Sequence, residues 1–411
     1  MNKDSFTHAR QFILEALRMD GASPRDERAE LDWAEFSALV RMHRLGPLLH
    51  HALEHAEVPH AVRDQLNRSR RENTLRNLRI YGELVKVARL LDAAGIDFVA
   101  LKGAYLAEFA YKEPGLRPMR DLDLLLRPNH AVEAFDLIRG QGYESLFEGS
   151  PEAYFADRKH LPPLKGKSGV SIELHHRLTY PASHLQFKDD FVERLWDRSI
   201  AREIGGVSIR FFCPEDLLLH LCVHATMEHQ LNTGPLALAD VAWLVETHDI
   251  DWGRFLQDVK AGSWQRCVLP LLLLAKLHLG ARVPSEVILE LGDGKGEAAW
   301  LTSAEYLLFS DPEDHKLLDF DVQEMFYSAS LSKRFSALAR AAFPARTTIA
   351  RHFPVDAESL VAYLYYPARW RQLAGKKLPV LLAAHSGRNS SMRELARQRR
   401  TFEGWLKTDV H

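Results

Sequence analysis

Helical spacing of apolar positions dominates both ends of the chain, and shorter periods interrupt it in the middle. In residues 1 to about 95 the apolar residues recur at helical spacing. Phe6, Ile13, Leu14 and Leu17 form one stripe, and Trp33, Phe36, Leu39 and Val40 form a second. Gly21-Ala22-Ser23-Pro24 separates the two, and His43-Arg44-Leu45-Gly46-Pro47 reads as a turn. A long helix is predicted over residues 67–94, with Leu75, Leu78, Leu84, Val85, Ala88 and Leu91 inward and Gly95 closing it at a C-cap position. Its outer face carries Arg68, Arg70, Arg71, Arg76 and Arg79. Such a run reads first as a solvated helix face, and second as an electropositive wall that steers a phosphate-bearing substrate.

Between residues 96 and 212 the pattern shortens. Residues 96–101 form an apolar run, a buried strand that ends at Lys102-Gly103. A short helix over 104–112 is broken by Glu113-Pro114-Gly115. The chain resumes as Asp121-Leu122-Asp123-Leu124-Leu125-Leu126, a strand whose alternation puts Asp121 and Asp123 on one face. Residues 130–141 return to helical spacing. Residues 170–176 alternate again, with Ser171, Glu173 and His175 on one face, where they can meet the aspartates across a sheet. A hairpin is expected around Gly205-Gly206. After Pro214 the chain is helical over 215–229, 236–248 and 264–279, and a basic helix over 391–405 ends it. The fold class predicted is α/β (α+β), a small mixed sheet flanked by N- and C-terminal helical regions, divided as 1–95, 96–212 and 213–411.

Composition narrows the function without naming it. Of 411 residues, 46% are hydrophobic and 26% charged, ordinary for a globular protein with room for two or three domains. With 53 basic and 55 acidic side chains the net charge is −2, so no global basic field favours long nucleic acid. Cys213, Cys222 and Cys267 are widely spaced without a CxxC, which points to a reducing compartment. The N-terminus is charged and amphipathic, and the longest apolar run, 267–275, contains Pro270. A cytoplasmic protein with no membrane partner is therefore expected.

The chemistry-bearing residues cluster in the middle stretch. Phosphoryl and nucleotidyl transfer rely on charge neutralisation, commonly by two Mg²⁺ ions held on carboxylate oxygens. Asp121, Asp123 and Glu173 are the right residue types on strands facing the right way. Arg117 and Arg120 can contact phosphates bidentately or restrain the carboxylates. Lys102 and the Gly103 backbone can hold a leaving pyrophosphate, since glycine permits close approach. A rival cluster lies downstream. His220 and His224 stand i,i+4 on one helix, with His229, His175 and His176 as further candidate metal ligands, although no HExxH accompanies them. Packing, or hydrogen bonding to a neighbour such as Asp240, is the simpler reading of that pair. No GxxxxGK[ST] loop and no GxGxxG after a strand is present, which argues against a P-loop NTPase and a dinucleotide-dependent oxidoreductase.

Leu101-Lys102-Gly103, then Arg117-Pro118-Met119-Arg120-Asp121-Leu122-Asp123, then Ile172-Glu173-Leu174-His175-His176 together resemble the uncharacterised nucleotidyltransferase family, in its Leu-Lys-Gly branch, of the DNA polymerase β-like superfamily. The resemblance covers mainly 96–180. The helical half is similar too, through His220-Leu221-Cys222-Val223-His224 and Ala239-Asp240-Val241-Ala242. It implies a minimal nucleotidyltransferase fold over 96–212, with Asp121, Asp123 and Glu173 as metal ligands. The first turn reads Lys102-Gly103-Ala104 where the wider superfamily usually has Gly-Ser or Gly-Gly, which makes Lys102 the substitute on the phosphates.

The activity expected is Mg²⁺-dependent transfer of a nucleoside monophosphate from an NTP such as ATP to an acceptor hydroxyl, phosphate or amine, with Mn²⁺ able to replace Mg²⁺. A small molecule, a peptide or protein, and an RNA end all fit as acceptor. The alternative is a non-catalytic nucleotide- or partner-binding scaffold, against which retention of all three carboxylates argues.

Overall fold

A computed structural model describes residues 7–20, 31–145, 151–155, 157–292, 297–318, 331–350, 353, 355–356, 358–371 and 389–408. Phe6 and the Gly21-Ala22-Ser23-Pro24 separator lie outside the described residues.

Four helices open the chain: α1 (His8–Ala16), α2 (Trp33–Met42), α3 (Gly46–Ala52) and the 34-residue α4 (His60–Ala93). Asp32 caps α2, its carboxylate accepting from the Ala34 and Glu35 amides at 2.8 and 3.1 Å. Gly95, at φ +68°, terminates α4, and the Ile96 amide bonds back to Leu91 O at 2.9 Å.

The inward face of α4 differs from the predicted one. Leu75 and Leu78 are 57% and 54% exposed, Val85 is half-buried, and the buried stripe runs through Val62, Leu66, Asn73, Asn77, Ile80, Leu84, Val87, Ala88 and Leu91. Asn73 and Asn77 are the reason. Asn73 Nδ2 donates to Gly115 O and Asn77 Nδ2 to Arg117 O, both at 2.7 Å, while Asn77 Oδ1 accepts from the Met119 amide at 3.3 Å. Both side-chain amides donate to backbone of the loop before β2, which offsets much of the cost of burying them and sets the helix phase.

A seven-stranded mixed sheet follows, in the order β3-β4-β5-β2-β1-β7-β6. The strands are β1 (Phe98–Ala100), β2 (Asp121–Leu126), β3 (Glu144–Ser145), β4 (Leu164–Lys165), β5 (Ser171–His175), β6 (Ile200–Ile204) and β7 (Val207–Phe211). β1 runs antiparallel to β2 and parallel to β7, and β2 runs parallel to β5 with Asp121 opposite Ser171 and Asp123 opposite Glu173. The β6–β7 hairpin turns at Gly205-Gly206, as expected. Between β1 and β2 lie α5 (Gly103–Tyr105) and a wide π turn, Leu106–Ala110. The helix α6 (Ala131–Gly140) joins α4 against the sheet, and α7 (Asp189–Asp197) leads into β6. Leu122, Leu124 and Val99 are fully buried, and each such aliphatic side chain contributes roughly 1.5–3 kcal/mol.

The second half is helical. α8 (Pro214–Val223) runs into a π turn, His224–Glu228, and packs with α9 (Pro235–Thr247), α10 (Trp252–Ala261) and α11 (Gln265–Leu279). The Leu106–Ala110 turn rests on α9. Further helices include α12 (Ser285–Leu291) and α13 (Glu297–Leu308), against which the C-terminal Asn389–Leu406 helix packs. All three cysteines are free and buried. Among the described residues no helix is long and apolar enough to cross a membrane.

Candidate functional site

The parallel register of β2 and β5 sets Asp123 beside Glu173, and strand alternation keeps both, with Asp121, on the face opposite Leu122 and Leu124. Lys102, at the end of β1, reaches the same point, its Nζ lying 3.1 Å from Asp123 Oδ2. His175 Nε2 donates to Asp123 Oδ1 at 3.0 Å and lies 3.6 Å from Glu173 Oε2. His160 Nε2 stands 3.6 Å from the same Glu173 oxygen. Asp123, Glu173 and His175 each bring one ligand atom within 4.8 Å of the others, and Asp121 borders this set.

The charges here are unevenly answered. Burial and the neighbouring carboxylates Asp123 and Glu173 push Asp121 up to about 7. Burial would raise Asp123 too, but Lys102 and His175 outweigh it and hold that carboxyl well below its ordinary range. Lys102 is raised despite its burial, because Asp123, Glu228 and Asp121 surround it. The result is one carboxylate locked in its ionised form beside another that keeps a proton near neutrality.

The backbone at Lys102 is unusual. Its φ is +45° and ψ −103°, a conformation that costs a β-substituted residue on the order of 1–3 kcal/mol. Tyr81 Oη, from α4, donates to Ala104 O at 3.0 Å and pins the turn. Gly103 serves a different need: a Cβ there would fall onto the Arg117 guanidinium.

Arg117 is engaged by an acid outside the carboxylate face that it was expected to serve. Its Nε and Nη2 bond Asp240 Oδ1 and Oδ2 at 3.1 and 2.8 Å, and Tyr111 Oη also donates to Asp240 Oδ1 at 2.9 Å. Asp240 thus partners Arg117 and Tyr111, not the histidines. This buried pair ties the loop before β2 to α9, while Asn73 and Asn77 tie it to α4. Arg120 is exposed and has no hydrogen bond or ion pair among the described residues.

The downstream histidines divide. His224 Nδ1 lies 2.9 Å from Glu228 Oε2, and His224, Glu228 and His229 form a second group able to converge on one ion. Lys159 makes a buried ion pair with the same Glu228 carboxylate, and burial together with Lys102 lowers the lysine. His220 is buried among Phe187, Phe212 and His224, strongly depressed by burial and by Lys102. His175 joins the aspartates, and His176 stacks on Phe155 at 4.1 Å.

Sequence reasoning placed the three carboxylates and Lys102 but missed Lys159, His160 and Glu228. Glu228 carried a legible signal, the i,i+4 spacing from His224. Lys159 and His160 sit in a loop-rich stretch with no period to point to them.

No curated protein matches the chain at a significant level. The family described as uncharacterised nucleotidyltransferase matches residues 29–280, more than half of the chain, and that span includes the helices α4 and α9 as well as the sheet. The chain therefore belongs to the uncharacterised nucleotidyltransferase family.

Proposed function

We propose that the protein transfers a nucleoside monophosphate from an NTP to an acceptor at the Asp121, Asp123 and Glu173 face, with Mg²⁺ as its metal. One observation carries the reading: adjacent parallel strands set Asp121, Asp123 and Glu173 on one face with Asp123 opposite Glu173, and burial together with this crowding raises Asp121. Such a site favours a cation, and an all-oxygen carboxylate set suits a hard one. The donor set therefore fits Mg²⁺, with Asp121, Asp123 and Glu173 as its holders and His175 fixing the Asp123 orientation. When bound, the metal supplies charge neutralisation for the phosphates and polarises the reacting oxygens.

The rest of the chemistry falls to this chain's own groups. In the transfer, an acceptor oxygen or nitrogen forms a bond to the α-phosphorus, the bond from that phosphorus to the bridging oxygen breaks, and pyrophosphate leaves. To Lys102 and the Gly103 amide we assign uptake of charge on the departing pyrophosphate. We assign acceptance of the acceptor's proton to Glu173, which has the His160 and His175 rings 3.6 Å from its Oε2. Arg117, held by Asp240, acts as a positioning residue for the Gly103 turn and for β2. Arg120 stands free at the rim for phosphate contact.

The test is pyrophosphate release and labelling of acceptors from each of ATP, GTP, CTP and UTP, in the presence of cell extract, by wild type and by Asp121→Asn/Asp123→Asn. Mg²⁺-dependent labelling by wild type that falls at least a hundredfold in the variant is expected. Equal labelling by both proteins would refute the assignment.

A further inference from the structure

Ion pairing sorts the arginines into two populations. Arg70 meets Glu113, Arg127 meets Glu193, Arg198 meets Asp216 and Asp258, and Arg254 meets Glu215. The side chains of Arg44, Arg68 and Arg76 have neither a hydrogen bond nor an ion pair among the described residues. These three converge on a single cleft of about 320 Å³ between the end of α2, the start of α3 and α4. That volume falls in the range of ligand pockets. Glu72 is the one carboxylate among its lining residues, and the fourth lining arginine, Arg41, donates to Gln65 Oε1 at 3.2 Å.

The cleft adjoins the carboxylate face. Pro118, three residues before Asp121, forms part of its wall. Burial, then Arg120 and Arg76, lower Arg44 to about 10, and Asp121 acts on it in the opposite sense. Arg44 therefore lies in a field of like charges that the site's own aspartate partly offsets, and it stays protonated at neutral pH.

Its backbone adds a second observation. Arg44 has φ +58°, at the C-terminal position of α2 where glycine is favoured; the Leu45 amide bonds Val40 O at 3.0 Å and the Arg44 amide bonds Arg41 O at 3.2 Å. A side chain is kept where none is the easier solution, and that side chain lines the cleft. Guanidinium groups match phosphate oxygens in a bidentate fork.

We propose that the cleft lined by Arg44, Arg68 and Arg76 is a phosphate-binding subsite, which takes the anionic end of a substrate reacting at the neighbouring carboxylates. The proposal rests on the nucleotidyl-transfer reading for what reacts, but not for what binds. The ligand chemistry, one or more phosphoryl groups, has two sources: the β- and γ-phosphates of the NTP, or a phosphate carried by the acceptor.

The experiment is calorimetric titration of the full chain with inorganic tripolyphosphate in the absence of divalent metal. Binding by wild type that weakens at least tenfold in Arg44→Gln/Arg76→Gln is expected, with Arg71→Gln/Arg79→Gln, on the same helix outside the cleft, unchanged. Asp121→Asn/Asp123→Asn retains or tightens this binding, so a failure of the metal-site reading leaves the subsite standing. A parallel titration with Mg·ATP identifies the source. Weaker Mg·ATP binding in Arg44→Gln/Arg76→Gln assigns the cleft to the NTP tail, and unchanged Mg·ATP binding beside lost tripolyphosphate binding assigns it to a phosphorylated acceptor. No tripolyphosphate binding by wild type, or equal losses in the two arginine pairs, would overturn the proposal.

Discussion

Arg117 and Arg44 both lie close enough to Asp121 to feel its charge, yet one is answered within the fold and the other is not. Arg117 is buried, bonded through two nitrogens to Asp240, and braced by Tyr111. Arg44 stands half-buried among arginines with no ion pair, on a strained backbone. Residue type is the same, but Asp240 raises Arg117 despite its burial, whereas burial and neighbouring arginines lower Arg44. What separates them is whether an acid from another element arrives. A buried pair that is complete holds structure, whereas a cluster of uncompensated cations is costly unless a ligand completes it.

The largest expected effect breaks the paired member. Arg117→Ala strands Asp240 in a buried site and should cost about 3–5 kcal/mol in urea unfolding, against less than about 0.5 kcal/mol for Arg76→Ala. Similar losses in the two variants would erase the distinction between the regions. Next in size is Asp121→Asn. The folded protein holds Asp121 at about 7, above its unfolded value of about 3.9, so the stability this carboxyl contributes is present at low pH and lost as pH rises through 7. Removing the charge should therefore raise stability at pH 8 by on the order of 1–2 kcal/mol in the absence of metal, read from the same unfolding curves. The same sign governs Mg²⁺. Because Asp121 gives up its proton to accept the cation, the rise in Tm on adding Mg²⁺ should be larger at pH 8 than at pH 6, and a flat profile would remove Asp121 from the ligand set. The smallest effect is on Arg44. Glycine accepts φ +58° without strain, so Arg44→Gly should stabilise by roughly 0.5 kcal/mol while weakening tripolyphosphate binding.

Much of the sheet was legible because strand alternation is a local property. Asp121 and Asp123 fall on one face by period alone, and the β5 alternation put Glu173 and His175 on a matching face before any pairing was known. The inward face of α4 was misread for the opposite reason. Leu75 and Leu78 are apolar and so were assigned to the core, but the buried stripe is fixed by Asn73 and Asn77, whose partners are backbone groups about forty residues downstream. A hydrophobic period cannot register a polar residue whose hydrogen bonds are satisfied by another segment. The same holds for Arg117: its place beside Asp121 shows nothing of Asp240 on α9, the partner that its guanidinium meets in the fold.

The sequence by itself determined the element types, the shared face of Asp121 and Asp123 within one strand and of Glu173 and His175 within another, and each family motif, since each depends on residues within a few positions of one another. Tertiary structure decided which charges are spent and which are free. It brought Asp240 to Arg117, Glu228 to Lys159, and Glu173, His175 and Lys102 to Asp123, and among the described residues it set no acid within ion-pair distance of Arg44, Arg68 or Arg76. Coulomb interactions in a low-dielectric interior depend on distances through space, and no spacing along the chain encodes them.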